Sequence, residues 1–187
     1  MKIRIFIFLI LIFIFFPQVV FAETMSLKEI PLSPSPKPAV GYELAYPGLL
    51  PDSPLYFLKV VRDKAVSLLT SDPLKKAEFD LLTSDKRLNS AVYLFRKGAG
   101  KYALAEQTIS KGENYFEDAI KQAELAKTQG LPVQNTLSNL YLASQKHEEV
   151  IKSLINQTSG GIKNSLIIDE KRMQNLQKKV NSLMPKQ

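Results

Sequence analysis

The sequence predicts an all-α fold: an antiparallel up-down four-helix bundle made of two long α-hairpins, with a short extra N-terminal helix. Three observations lead to this prediction. Pro residues that open helices and Gly residues that end them bound segments of about 25 residues from residue 54 onward. The apolar residues of these segments follow a heptad spacing, as on one face of a helix. The same region shows no alternation of apolar and polar residues between turns, so a sheet is not expected.

Five helices are predicted from these signals. Ser53-Pro54 caps and opens the first, and Asp72-Pro73 repeats the arrangement for the second. The predicted spans are 54 to about 69, 73 to near 98, 101 to about 128, 132 to before 160, and the Gly160-Gly161 turn to about 184. The short first helix is expected to pack across the others through its apolar stripe, Leu55, Leu58, Val61, Ala65 and Leu68.

The apolar stripes of successive long helices match when the chain folds back at the glycines. In an antiparallel pair, facing residues have numbers with a constant sum. Folding at Gly98 to Gly100 gives sums of 196 to 197 for Phe95 with Tyr102, Ala91 with Ala105, Leu88 with Ile109, and Leu81 with Phe116. Folding at Gly160-Gly161 gives sums of 316 to 317 for Leu154 with Ile162, Ile151 with Leu166, and Leu140 with Leu176. Such matches are typical of coiled coil-like, left-handed antiparallel packing.

A helical-repeat array is the alternative architecture. The segment Gly100-Lys101-Tyr102, followed by Ala105, is similar to the small-aromatic-small spacing of tetratricopeptide repeats. That motif returns about every 34 residues, and the sequence has no second copy. We therefore favour the bundle.

One polar level is predicted inside the bundle. His147 and Asp169 interrupt the stripes of the fourth and fifth helices, and their sum of 316 sets them opposite each other. The register across the Gly130 turn sets His147 level with Gly112, which faces Ser84. We expect the imidazole to pair with the Asp169 carboxylate and Gly112 to leave room for the ring or a water. Such a level fixes helix register; the alternative is that one or both residues turn to the surface.

Ser84, His147 and Asp169 also invite functional interpretations. They are the residue types of a hydrolase triad, but mid-helix amides are already hydrogen-bonded and offer no oxyanion hole. A metal site would have one His and lacks the paired Glu-x-x-His motifs of di-iron bundles. We therefore predict no catalytic, cofactor-binding or metal-binding residue, and no cofactor. Glu113, Glu117 and Asp118 are expected to form a solvated face.

Composition and charge exclude several classes of protein. The 187 residues include no Cys, no Trp and one His, which excludes disulfides, zinc-thiolate sites and thiol nucleophiles. Residues 54–187 carry 21 basic and 14 acidic side chains, a net charge of +7. The charges alternate in sign instead of forming one stripe. Together with the export signal described next, this argues against nucleic acid and favours anionic lipid headgroups, an anionic surface polymer or an envelope protein as partner.

The N-terminal residues have the order of an export signal. Lys2 and Arg4 precede an apolar run, Ile5 to Phe16, and Val20-Phe21-Ala22 offers a cleavage site. We predict a signal peptide over residues 1–22; an uncleaved membrane anchor is the alternative. In both cases the rest of the chain lies outside the cytoplasm, because the two cations stay inside. Contact with the membrane is expected only through this segment, if it is not processed.

Residues 23–53 are predicted to be a Pro-rich extended linker. This segment contains four closely spaced prolines: Pro31, Pro34, Pro36 and Pro38. They favour a polyproline II spacer, and the alternative is a ligand for a Pro-binding module. The folded domain is predicted to span residues 54–187. Five apolar residues near the end of the linker could lie against it: Tyr42, Leu44, Tyr46, Leu49 and Leu50.

Residues 50–59 read Leu-Pro-Asp-Ser-Pro-Leu-Tyr-Phe-Leu-Lys. This segment resembles the LP-x-SPLY-x-LK box of a bacterial domain-of-unknown-function family. Later elements of that family are similar to Lys76-Ala77-Glu78 and Arg87-Leu88, so the resemblance covers roughly residues 48 to 125. It implies an exported or membrane-anchored helical domain of a bacterial envelope, and it implies no activity and no site residues.

The sequence thus predicts an exported helical domain that works by binding at the cell envelope and not by catalysis. Two alternatives remain. One is an extracytoplasmic metal-binding or hydrolytic protein that uses the level of Ser84, His147 and Asp169. The other is the sensory domain of an envelope-signalling system.

Overall fold

A computed structural model describes residues 40–185. The predicted signal peptide and most of the predicted linker lie outside this range. The described residues form an all-α fold without strands, and its helices have these bounds: α1, Tyr56–Leu69; α2, Pro73–Arg96; α3, Tyr102–Thr128; α4, Gln134–Ile155; α5, Gly160–Leu183. A short 3₁₀ turn, Ala99–Lys101, joins α2 to α3. None of the helices in this range has both the length and the apolar content needed to cross a bilayer.

Local chemistry fixes the ends of the helices. The Asp72 side chain caps α2 by accepting hydrogen bonds from the amides of Leu74 (2.9 Å) and Lys75 (3.4 Å), and Pro73 occupies the first position, as predicted. Gly98 and Gly130 follow α2 and α3 with φ angles of 100° and 74°, which favour glycine. α1 differs, because it begins at Tyr56 and its first turn has no side-chain cap. The Ser53 hydroxyl oxygen accepts a hydrogen bond from the Leu55 amide at 3.4 Å, so the predicted contact of Ser53 forms just ahead of the helix and not within its first turn.

The four long helices pack in pairs whose directions follow from their contacts. The rings of Phe95 on α2 and Tyr102 on α3 lie 4.7 Å apart, at a residue sum of 197. On α4 and α5, Glu148 accepts a hydrogen bond from Gln174 (2.9 Å), and Lys152 lies 3.7 Å from Glu170. Both of these contacts have a sum of 322, so α4 and α5 run in opposite directions.

The two pairs dock side by side through α3 with α5 and α2 with α4. Arg172 on α5 pairs with Glu117 on α3 at 3.0 Å, and Lys179 pairs with Glu124 at 3.5 Å. The residue numbers differ by 55 in both pairs, so α3 and α5 run in the same direction. α3 and α4 meet at few points, although they are consecutive in the chain. The apolar stripes of α2 to α5 meet in one buried cluster that includes Leu81, Phe116, Ile151 and Leu166.

Residues 40–55, here called the N-terminal strap, lie along α2. The strap and α2 run in the same direction, because successive strap residues meet successive α2 residues. Tyr42 donates a hydrogen bond to Asp85 (2.7 Å). Farther along, Asn89 donates one to the Ala45 carbonyl (3.0 Å), and Lys97 donates one to Asp52 (2.9 Å). Tyr42 and Leu44 also pack on the core, as predicted, whereas Tyr46 and Leu49 are exposed, so the prediction is wrong for these two.

The orientation of α1 is the opposite of the prediction. The stripe that was expected to pack on the other helices faces outward, and its residues are exposed: Leu55, Leu58, Val61, Ala65 and Leu68. Asp63 is the residue of α1 that is buried, on the opposite side of the helix. The prediction used the apolar stripe alone and took no account of the polar contacts described below.

Candidate functional site

The predicted polar level contains a different pair from the one expected. Ser84, Gly112, His147 and Asp169 are all buried. His147, however, does not pair with Asp169: its Nε2 lies 2.8 Å from Oδ1 of Asp85 on α2. The predicted partner is wrong because the register of α4 and α5 set His147 opposite Asp169, whereas the imidazole points toward α2, which also lies beside α4.

Asp85 is the acceptor that sequence analysis missed. Its Oδ1 faces His147, and its Oδ2 accepts a hydrogen bond from the Tyr42 hydroxyl at 2.7 Å. Burial, together with the adjacent Asp85 carboxylate, raises the pKa of Tyr42. The sequence did place Asp85 near the predicted level, because Asp85 is the residue after Ser84. Successive residues of a helix point about 100° apart, so the Asp85 side chain points to a different side of α2 from Ser84. The pattern could not show that α4 would lie on that side.

Gly112 provides space for α2 and not for the imidazole. A Cβ atom at this position would lie 3.2 Å from the Cβ of Arg87 and 3.4 Å from the carbonyl oxygen of Ser84. The contact with Ser84 agrees with the predicted register of α2 and α3. Because the missing side chain lets the two helices approach, the expected room for a ring or a water is taken by α2 itself.

A buried acidic pair lies between α3 and α5. Glu113 was expected on a solvated face, but it is 1% exposed, so that prediction is wrong. Burial and the nearby Asp169 raise the pKa of Glu113 to about 9, and Arg172, 3.5 Å away, opposes this rise. Burial and Glu106 raise the pKa of Asp169 to about 7. Among the described residues, neither Glu113 oxygen nor Oδ2 of Asp169 finds a hydrogen-bond partner. Both groups therefore keep their protons to a higher pH than an ordinary carboxyl group.

These interior groups are arranged for packing. The Ser84 hydroxyl finds no hydrogen-bond partner within residues 40–185, so it is not activated by His147. The same range contains no group of three or more His, Asp or Glu side chains placed to hold a metal ion. What His147 and Asp85 do is join α4, α2 and the strap through buried polar contacts.

The outer surface of α1 carries exposed apolar residues, which we call the α1 apolar face: Leu55, Leu58, Val61, Ala65 and Leu68. Val61 is 62% exposed and Leu68 is 85% exposed. Phe57 and Leu69, at the two sides of the face, are also exposed. Single exposed apolar residues are ordinary, whereas these residues lie together on one side of the helix.

Polar contacts hold the other side of α1. The hydroxyl of Tyr56 accepts a hydrogen bond from Arg87 on α2 at 2.9 Å. The Arg87 guanidinium also lies over the rings of Tyr56 and of Tyr115 on α3, 6.0 and 5.0 Å from their centroids. Asp63, on the same side of α1, is buried and paired with Arg62 at 2.7 Å. Because polar groups fix this side, the apolar face points outward.

A pocket of about 410 Å³ lies between α1 and the strap. We call it the cationic pocket, because its lining includes three cations and no acid: Lys59, Arg62 and Lys86, with Tyr46, Leu49 and Leu58 among its other residues. Burial lowers the pKa of Lys59, and the positive charges of Lys86, Arg87 and Arg62 add to this effect against the opposing charge of Asp63. The Lys59 ammonium donates to the Pro47 carbonyl at 2.6 Å. The pocket thus has an excess of positive charge.

Comparison with known proteins gives one similarity. The family model described as "Domain of unknown function (DUF5667)" matches residues 48–182. This range includes all five helices except Leu183, the last residue of α5. No curated protein and no solved structure matches the chain. The match agrees with the expected domain-of-unknown-function family, and the description of that family names no activity.

Proposed function

We propose that this chain, which belongs to the DUF5667 family, is an exported, non-catalytic binding module that acts at the bacterial cell envelope. The observation that carries the proposal is the orientation of α1. Its apolar face points away from the other helices, and nothing in residues 40–185 covers it. A helix that exposes its apolar side while polar contacts fix its other side is suited to binding a partner.

Export is proposed from the sequence of residues 1–22. Lys2 and Arg4, the apolar run and the small residue Ala22 follow the order of a signal peptide. The Pro-rich residues before the strap would then act as a spacer between the membrane and the helical domain. With the signal retained, the spacer would hold the domain near the envelope; with the signal removed, the domain would be released unless a binding partner retains it.

We also propose that the four long helices form an antiparallel up-down bundle. The opposite directions of α4 and α5 support antiparallel hairpins, and the common direction of α3 and α5 agrees with an order of helices that alternates up and down along the chain. In this bundle the two hairpins lie side by side, so that α4 is a neighbour of α2 and α5 is a neighbour of α3. The bundle is the rigid support on which α1 is presented.

The alternative functions lack a contact in their favour. A hydrolytic or metal-binding role was based on Ser84, His147 and Asp169, and the imidazole bonds to Asp85 instead. A sensory role would require an element that transmits a signal, and no observation on residues 40–185 points to one. The α1 apolar face supports binding more directly than either alternative.

Crosslinking in the native envelope tests the proposed function. A photo-crosslinking residue in place of Val61 is expected to capture an envelope component, lipid or protein, because the side chain points outward. The matched control places the same residue at Lys163, an exposed position on α5, and is expected to capture little. N-terminal sequencing of the recovered protein reports cleavage after Ala22. Recovery of the protein in the cytoplasm, or equal capture at both positions, would contradict the proposal.

A further inference from the structure

We propose that the α1 apolar face and the cationic pocket together dock on the surface of an anionic lipid bilayer. This inference rests on the proposed binding function and names its partner. It adds a second membrane contact to the one expected from residues 1–22. The apolar face would enter the boundary between headgroups and acyl chains, and the pocket would receive a lipid phosphate.

The dimensions of α1 suit a helix that lies on a membrane. Its 14 residues extend over about 21 Å, which is shorter than the hydrocarbon core of about 30 Å. Interfacial helices of this kind lie in the plane of the membrane with their apolar side buried. The exposed residues of α1 occupy one side of the helix over its whole length, as such binding requires.

The charges of α1 select an anionic surface. By helical periodicity, Arg62 and Lys64 lie at the two borders of the apolar face, and both are exposed. Asp63, the one acidic residue of α1, is buried on the other side. All exposed charges of the helix are thus positive. A helix of a partner protein is commonly recognised through flanking charges of both signs, whereas a lipid surface needs one sign.

The cationic pocket extends this charge beyond α1. Lys86 of α2 and Arg62 of α1 line it from two helices, beside the apolar residues Leu49 and Leu58. A phosphate placed there would reduce the repulsion among the cations, which adds to the effect of burial in lowering the pKa of Lys59. Cations beside apolar side chains match the order of groups at a bilayer surface, where phosphates lie next to acyl chains.

The path of the chain is consistent with this orientation. The strap borders the pocket through Tyr46 and Leu49, and Tyr42 bonds to Asp85, the residue before Lys86. The described chain therefore begins close to the pocket, and the sequence before it includes the apolar run Ile5 to Phe16. If this run is retained as a membrane anchor, it would hold the chain at the bilayer on which α1 is proposed to dock.

A fluorescent probe on α1 tests the inference. The chain has no Cys, so Leu68→Cys in the full chain gives a single site for an environment-sensitive dye, and Ser138→Cys on α4 gives the matched control at another exposed position. Vesicles of equal parts phosphatidylglycerol and phosphatidylcholine are expected to raise the emission at residue 68 several-fold and to leave residue 138 unchanged. Vesicles of phosphatidylcholine alone are expected to have a much smaller effect at residue 68, and added salt to weaken the effect of the anionic vesicles.

Charge variants separate this surface from general attraction by a basic protein. Lys64→Gln with Lys86→Gln is expected to weaken the response of the residue 68 probe to anionic vesicles roughly tenfold or more. Lys111→Gln with Lys178→Gln removes the same charge from exposed positions on α3 and α5 and is expected to preserve the response. An equal loss in both double variants would overturn the inference, as would an emission change that is the same with neutral and anionic vesicles.

Other occupants of the face give different results. If a second copy of the chain covers it, the residue 68 probe will respond to protein concentration and not to vesicles. If an envelope protein covers it, crosslinking at Val61 will capture that protein while vesicles leave the probe unchanged. Both results contradict the lipid inference, and the second still supports the proposed binding function.

Discussion

His147 on α4 and Asp85 on α2 form a buried pair, with 2.8 Å between Nε2 of the imidazole and Oδ1 of the carboxylate. The second carboxylate oxygen of Asp85 accepts a hydrogen bond from Tyr42 of the strap at 2.7 Å. One side chain therefore links three parts of the chain that are far apart in sequence. Because both of its partners are buried or half-buried, the contact is costly to break from either side.

Removal of Asp85 is expected to destabilise the domain. Asp85→Ala leaves His147 and Tyr42 without their shared acceptor, and we expect the free energy of unfolding to fall by about 3 kcal/mol. Urea unfolding measures this change, with Asp118→Ala, an exposed carboxylate on α3, as the matched control. A loss no larger than that of the control, or an unchanged or higher melting temperature of His147→Leu, would show that the pair is not needed to hold the fold.

The close approach of α2 and α3 predicts a sensitive position at Gly112. Gly112→Val would place side-chain atoms within the space of Arg87 and the Ser84 carbonyl, so we expect a loss of about 2 kcal/mol or more in the free energy of unfolding. Gly161→Val is the matched control, because a side chain on Gly161 meets open space in the first turn of α5. Thermal unfolding of both variants compares them. Equal melting temperatures would contradict the close approach.

Helix boundaries could be predicted because local chemistry sets them. Asp72 caps α2 and Gly130 ends α3 through groups within one turn of each boundary. The heptad pattern also identified core residues such as Leu88 and Ile109, since an apolar stripe on a long helix is nearly always covered.

Contacts between hairpins could not be predicted in the same way. The sequence analysis set His147 opposite Asp169 from the register of α4 and α5, and it had no signal that α2 would also lie beside α4. Which of these neighbouring helices the imidazole meets depends on the packing of the whole core. The prediction of the orientation of α1 was wrong for a related reason. An apolar stripe indicates that the helix is suited to packing against something, but not that this partner is part of the same domain.

The outward orientation of α1 predicts that its leucines contribute little to folding. Leu68 is 85% exposed, so Leu68→Ser is expected to change the free energy of unfolding by less than about 0.5 kcal/mol. Leu88 on α2 is 2% exposed, and Leu88→Ser is expected to lose about 3 kcal/mol or more. Urea unfolding of the two variants gives the comparison. A large loss in Leu68→Ser would mean that α1 packs through its apolar face after all.

The buried acids between α3 and α5 predict a stability that falls as the pH rises. Burial raises the pKa of Glu113 from 4.5 to about 9 and that of Asp169 from 3.8 to about 7. The folded state therefore holds these protons more tightly than the unfolded state. Their contribution is complete below about pH 4, the ordinary range of carboxyl pKa values, and is lost as the pH rises through the raised values. We expect the free energy of unfolding to decrease between pH 5 and pH 9, by an amount on the order of a few kcal/mol.

Glu113→Gln isolates the larger of the two contributions. The amide keeps the shape of the side chain and cannot ionise, so we expect a flatter pH dependence and a higher stability than the unmodified chain at pH 8. Arg172, which faces Glu113 and also pairs with Glu117, stays charged throughout this range. Glu124→Gln on the exposed side of α3 serves as the control and is expected to keep the original slope. Urea unfolding at pH 5, 7 and 9 measures all three proteins; a stability that rises with pH, or a slope that Glu113→Gln leaves unchanged, would show that Glu113 is ionised in the folded domain.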